Sequence, residues 1–292
     1  MSQEGVSVKD ILSLVLLSII WGTSFILIKK SLLAFDFVEL GALRIGISTL
    51  AFLPWVIKIW KDVDWSKLKY FFIVGVTGSG LPSFLYAIAE TEISSATAGI
   101  LNGLSPIFTF IIGILFFRTV FAWSKLLGVI LGLVGASTLI IAGNNTDVGG
   151  NALYGLFIVV ATICYAFNAN TVKEVFQDTD PIQVAGISFF SVGIPFIIYV
   201  LVSDIPNKII NHPDGLISFG AIMVLAIVGT VFSILFFYKL IQNTSAVFAS
   251  SVAYTIPIVA LGWGYLDSEA ITMYHFIGLG FILLGVYNLK GK

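Results

Sequence analysis

Ser94–Arg118 reads SSATAGILNGLSPIFTFIIGILFFR, and Leu126–Gly135 follows as LLGVILGLVG. The chain contains this pattern twice. A shift of 151 residues carries Ser94 onto Ser245 and Pro106 onto Pro257, and a shift of 150 carries Gly128 onto Gly278 and Gly135 onto Gly285. Each copy is an apolar run of helix length with one internal proline, a short polar break, and a second apolar run spaced by glycine. A helix pair repeated at half the chain length marks two structural halves.

Composition sets the solvent. Of 292 residues, 58% are hydrophobic and 11% charged, with a mean hydropathy of +1.03. A soluble domain averages roughly 45–50% apolar and about 25% charged, so this chain reads as an all-α membrane protein in contact with a lipid bilayer. A net charge of −1 gives no reason to expect a nucleic-acid partner. The single cysteine, Cys164, excludes an intramolecular disulfide and any multi-cysteine metal site. No HExxH, GxSxG or GxxxxGK[ST] motif is present, which argues against an enzyme and implies neither metal nor cofactor. The histidines, His212 and His275, fall in connections or at a helix edge and are expected to be solvated. The polar start MSQEGVSVKD lacks the basic lead of a cleaved signal peptide, so Ile11–Ile28 is expected to be the first span.

A spanning helix needs about 20 mostly apolar residues. Ten windows qualify: Ile11–Ile28, Val38–Ile57, Leu68–Ala89, Ser94–Phe117, Leu126–Gly143, Ala152–Val172, Ile182–Ser203, Leu216–Tyr238, Ser245–Leu266 and Ile271–Leu289. Placing the N-terminus in the cytoplasm puts only Lys29, Lys30, Arg44 and Lys208 of the fifteen lysines and arginines on the outer side. The bias predicts both termini cytoplasmic in a plasma or inner membrane.

Five helices per half is odd, so the second half must enter the bilayer from the opposite side. The sequence thus predicts two inverted five-helix repeats, residues 1–143 and 151–292, joined by the loop 144–150. That arrangement is typical of secondary transporters, with the substrate site near the midplane between the halves. The first helices of the halves also correspond: Trp21-Gly22-Thr23-Ser24-Phe25 falls on Tyr165-Ala166-Phe167-Asn168-Ala169. In each, the aromatic and the hydrogen-bonding residue three positions on share one helix face.

The motifs WGTSF in the first helix, Arg44 early in the second, and ISSATAGILNGLSPIF before a glycine-spaced helix resemble the EamA branch of the drug/metabolite transporter superfamily. The likeness runs from about Leu14 to Leu289. It implies a ten-helix exporter or permease for small metabolites, often amino acids or related compounds, in the bacterial inner membrane. Many members carry a Glu soon after the fourth and ninth helices. Glu269 fits, twelve residues after Pro257, whereas Arg118 stands at the same distance from Pro106.

Eight residues are candidates for binding: Trp21, Ser24, Arg44, Tyr86, Asn102, Tyr165, Asn168 and Tyr254. Asn102, Asn168 and Asn170 are amides in apolar helices and need partners, either another helix or a substrate. The aromatics divide between an interfacial belt and the interior, and Tyr86 and Tyr254 stand far enough from their helix ends to favour the interior. Arg44 either snorkels or pairs with Glu39, or it attracts an acidic group on a substrate. Pro106 and Pro257 are either fixed bends or hinges. Gly99/Gly103 and Gly128/Gly132 allow close helix packing.

No Asp or Glu lies centrally in any window; Glu90, Glu92, Asp267 and Glu269 sit at ends or in connections. Coupling through a midplane carboxylate is therefore not expected. The substrate should be neutral, zwitterionic or carboxylate-bearing rather than strongly cationic. The expected function is export or exchange of small metabolites such as amino acids by alternating access. A permease for phosphorylated or nucleotide-linked sugars and, from another class, an intramembrane enzyme or scaffold are the alternatives. The sequence leaves a homodimer open.

Overall fold

The computed structural model describes residues 7–119, 126–144 and 151–289. The linker beyond Asn144 and both chain ends, whose side the lysine count assigns, lie outside the described residues. Those described form helices and short connections, with no strand. In chain order they form α1 (Val8–Ser31), α2 (Phe37–Asp62), α3 (Trp65–Ala89), α4 (Ser95–Phe116), α5 (Leu126–Asn144), α6 (Gly155–Val175), α7 (Pro181–Val202), the short α8 (Ile205–Asn211), α9 (Gly215–Asn243), α10 (Ala246–Leu266) and α11 (Met273–Leu289). Among the described residues, eight are long and apolar enough to cross a membrane: α1 to α4, α6, α7, α9 and α10. The ten windows thus give eight such helices, with α5 and α11 outside that set.

A chain in lipid must satisfy its own backbone groups, and the helix starts show how. Asp36 accepts from the amides of Val38 and Glu39 and forms a capping box with Glu39; Asp180, 144 residues later, caps α7 through Ile182. Ser94 caps α4 through Thr97, and Ser245, 151 residues later, caps α10 through Phe248. The helix ends repeat too. Arg118 and Ser268 both adopt a left-handed backbone, φ 56° and 59°, closing α4 and α10. The next amide turns back in each: Thr119 to the Gly113 carbonyl and Glu269 to the Gly264 carbonyl, at 3.0 and 2.9 Å. By its place in this cap, Glu269 corresponds to Thr119 and not to Arg118. Glycine at 113 and 264 leaves room for those side chains, since a Cβ would sit 2.7 Å from Thr119 Oγ1 and 2.6 Å from Glu269 Oε2.

The packing is reciprocal. α1 lies against α9 and α10, α6 lies against α3 and α4, α2 meets α7, and α5 meets α11. The last crossing is as close as backbones permit: a Cβ on Gly285 would lie 2.5 Å from the Gly128 carbonyl oxygen and 2.7 Å from the Gly132 amide.

Four helices are interrupted along their length by a turn of another kind. α4 narrows to a 3-10 turn at Asn102–Leu104, and α10 does so at Ser251–Tyr254. Pro106 and Pro257 follow these turns, each in the first turn of a fresh helical segment. A proline there gives up an amide that would have no partner anyway. α3 and α9 each widen to a π turn, Val76–Gly80 and Ile227–Phe232, whose first residues stand 151 apart.

Candidate functional site

The irregular turns surround one cavity. It encloses about 860 Å³ not filled by atoms, its open side included, and is lined from α1, α2, α3, α4, α6, α9 and α10. Seven of the eight sequence candidates line it: Trp21, Ser24, Arg44, Tyr86, Asn102, Tyr165 and Asn168. Tyr254 does not; it is half-buried in the 3-10 turn of α10, while its neighbours Val252 and Ala253 reach the cavity. Pro106 and Pro257 are buried behind the lining. Asn170, one residue past the lining residue Ala169, faces away and donates to the carbonyls of Thr109 and Ala166 at 3.0 and 2.9 Å.

A π turn withdraws a carbonyl from the regular ladder, and the cavity side chains meet these carbonyls across the two halves. Trp21 Nε1 in α1 donates to the Gly229 carbonyl in the α9 turn at 3.0 Å. Asn168 Nδ2 in α6 donates to the Val74 carbonyl just before the α3 turn at 3.1 Å, and to Tyr238 Oη at the same distance. The aligned faces of the two first helices thus brace the opposite half. The lining repeats as well: Gly78, Ser79 and Tyr86 recur 151 residues later as Gly229, Thr230 and Phe237.

Arg44 is 8% exposed. It neither snorkels nor pairs with Glu39, whose carboxylate is held 2.8 Å from Lys208 Nζ in α8. Its Nε donates to Thr230 Oγ1 at 3.0 Å, and Thr230 in turn donates to the Leu225 carbonyl, five residues back along the π turn. Among the described residues no carboxylate pairs with the guanidinium. Thr230 was not legible as a partner, because only the tertiary fold brings it to Arg44.

Aromatic rings complete the wall. Tyr86 stacks on Tyr165 with centroids 6.0 Å apart and lies 5.7 Å from Phe25; Trp21 meets Phe237 edge-on at 5.0 Å. Tyr86 Oη donates to Asn102 Oδ1 at 2.5 Å, which satisfies the amide oxygen of a residue whose carbonyl already accepts from Ser105 Oγ at 2.8 Å. Among the described residues no group of His, Cys, Asp and Glu is placed to hold a metal ion.

Polar bonds fasten both ends of the bundle. At one, Lys29 Nζ lies 2.7 Å from Asp267 and 2.8 Å from Glu269, and Lys30 lies 2.5 Å from Asp267. Glu269 also accepts from the amides of Ser95 and Ala96 and from Ser95 Oγ. Burial works against its charge, but Lys29, Ser95 and the Ala96 amide hold its carboxyl below the usual range. His275, expected to be solvated, is buried beside this cluster: Nε2 meets Thr97 Oγ1 at 3.0 Å and Nδ1 accepts from the Thr272 amide at 3.1 Å. At the other end, Lys173 and Gln177 donate to the Gln242 carbonyl, and Gln242 Nε2 reaches the carbonyls of Phe176 and Thr179.

Comparison with known proteins fits this architecture. The family model described as the EamA-like transporter family matches twice, over residues 8–141 and 153–289. The chain is 27% identical to a protein of Archaeoglobus fulgidus named an uncharacterized transporter, over 93% of this chain and 95% of that one. It is 27% identical to the uncharacterized inner membrane transporter YedA of Escherichia coli, over 92% and 87%. It is 25% identical to the S-adenosylmethionine/S-adenosylhomocysteine transporter of Chlamydia trachomatis, over 73% and 67%. A solved crystal structure shares the fold with a TM-score of 0.64 at 14% identity, over 96% of each chain. With two copies of the family domain covering nearly its whole length, this multi-pass membrane chain belongs to the EamA-like transporter family.

Proposed function

We propose that this transporter exports or exchanges small zwitterionic metabolites, amino acids or their close derivatives, and that Arg44 meets the substrate carboxylate. One observation carries the reading: a buried guanidinium on the cavity wall has a hydroxyl partner but no carboxylate. A buried cation without a counter-charge is costly, and a substrate carboxylate removes that cost with charge-assisted, paired hydrogen bonds. The stacked rings of Tyr86 and Tyr165 and the Trp21–Phe237 pair offer apolar and cation-attracting surface to the rest of the molecule. S-adenosylmethionine, named for the chlamydial relative, is itself an amino-acid zwitterion with a cationic sulfur, so it belongs among the substrates to try. Sugar phosphates fit less well, because Arg44 is the one cation among the lining residues described.

In this reading the two family domains are inverted five-helix repeats, with α5 and α11 as the fifth and tenth crossings. Alternating access exchanges the fastened end between the two sides. The Lys29 end faces outward and both chain ends face the cytoplasm, as the lysine and arginine bias requires. Counterflow in proteoliposomes tests the assignment, with labelled amino acids, their decarboxylated amines, S-adenosylmethionine and glucose 6-phosphate as probes. Exchange of the carboxylate-bearing zwitterions and not of the amines is the expected outcome. Exchange of amines or of the sugar phosphate in preference to them overturns it.

A further inference from the structure

Glu90 follows directly on α3 at the Lys29 end of the bundle, and among the described residues it is the buried carboxylate that no donor meets. It is 7% exposed. Both carboxyl oxygens are buried and neither has a hydrogen-bond partner among the described residues. The acid acting on it, Glu269, is engaged by Lys29 and Ser95, and Glu92, two residues on, accepts from the Asn151 amide.

An ionised carboxylate stripped of water and of donors costs several kcal/mol, whereas the protonated acid costs no more than an ordinary buried polar group. The groups acting on it come from three elements. Glu269, in the α10–α11 connection, opposes its ionisation; Lys29 of α1 and Arg44 of α2 favour it, and Tyr86 lies one turn back on its own helix. Burial, reinforced by Glu269, holds the Glu90 carboxyl well above the usual carboxylate range. Lys29 is committed to Asp267 and Glu269, and Arg44 to Thr230. A metal ion would need a cage of oxygen ligands, which this position lacks; a proton needs none.

We propose that Glu90 is a proton-binding site, neutral while the Lys29–Asp267–Glu269 cluster is closed and ionised when that cluster opens. Opening lets water reach the carboxyl, which passes its proton to solvent, and frees Lys29 to face the anion left behind. Opening of this end of the cavity is then tied to the release of one proton. This makes transport sensitive to a proton gradient through a group at a helix end rather than at the midplane. The inference rests on the transporter reading and adds the ion to it.

Infrared difference spectroscopy of the purified full-length protein tests it without any organic substrate, so a wrong substrate class leaves the result intact. At neutral pH the wild type should show the carbonyl band of a protonated carboxyl, shifted in heavy water, and Glu90→Gln should lack it. Glu90→Gln copies the shape of the neutral acid and should melt at the wild-type temperature at that pH. Glu269→Gln removes the opposing charge and releases Lys29, so the band should disappear at a pH lower by about one unit or more. A wild type without the band at neutral pH overturns the proposal. So does a band that survives in Glu90→Gln, or one that titrates in Glu269→Gln at the wild-type pH or higher.

Discussion

Replacing Arg44 by Met separates binding from stability. The guanidinium is buried, donates from Nε to Thr230, and pairs with no carboxylate among the described residues. Methionine keeps an unbranched stem of similar reach and removes the charge. Thr230 keeps its own bond to the Leu225 carbonyl, so the substitution strands no donor. Exchanging buried charges for apolar side chains is often neutral or stabilising by about 1–4 kcal/mol. Arg44 is 8% exposed and so not wholly buried, which puts it in the lower part of that range: the substrate-free protein should melt at the wild-type temperature or higher. Binding should move the other way. Hydrogen bonds to a charged group are worth about 1.5–3 kcal/mol each, so losing one should weaken a carboxylate substrate roughly 10- to 150-fold. Two assays read these effects: thermal melting in detergent without substrate, and proteoliposome counterflow with the preferred amino acid and its decarboxylated amine. Wild type should discriminate between the two, and Arg44→Met should lose most of that discrimination. Equal affinity for the amino acid in both proteins, or a variant that simply melts earlier, would refute the reasoning.

Thr230→Val removes the acceptor that positions the charged Arg44 Nε but leaves the guanidinium itself on the cavity wall, so counterflow KM should rise less than in Arg44→Met. Gly78→Ala would drive a methyl into Asn168 Nδ2 and place it 3.2 Å from Tyr238 Oη. It should cost about 1–3 kcal/mol in detergent unfolding, whereas Gly220→Ala, with nothing within 4 Å of the added Cβ, should be neutral or stabilising by up to about 1 kcal/mol. Glu269 is held below its ordinary value of 4.5, so its contribution to stability is present above that value and lost as pH falls through the lowered one. The melting-temperature gap between wild type and Glu269→Gln should be open at pH 7 and close in acid; a gap that widens on acidification would contradict the assignment.

The sequence by itself determined the solvent, the class and the duplication. Apolar runs of spanning length leave no other home for the surface, and caps such as Asp36/Asp180 and Ser94/Ser245 repeat because equivalent helices start the same way. The matched faces of Trp21–Ser24 and Tyr165–Asn168 were legible too, since three residues apart is one side of a helix. What the fold decided is partnership across long separations. An Arg44–Glu39 pair, one of the alternatives, is near in sequence, yet Glu39 is taken by Lys208, 169 residues away, and Arg44 by Thr230, 186 residues away. Tyr254 has the composition of a cavity residue, but the 3-10 turn before Pro257 rotates it off the wall. Glycine and serine in Val76–Gly80 carry no periodic signal, so a π turn whose carbonyls serve the opposite half could not be read from them. Glu90 ends a helix where a sequence suggests water; the helices around it, and not its own segment, take that water away.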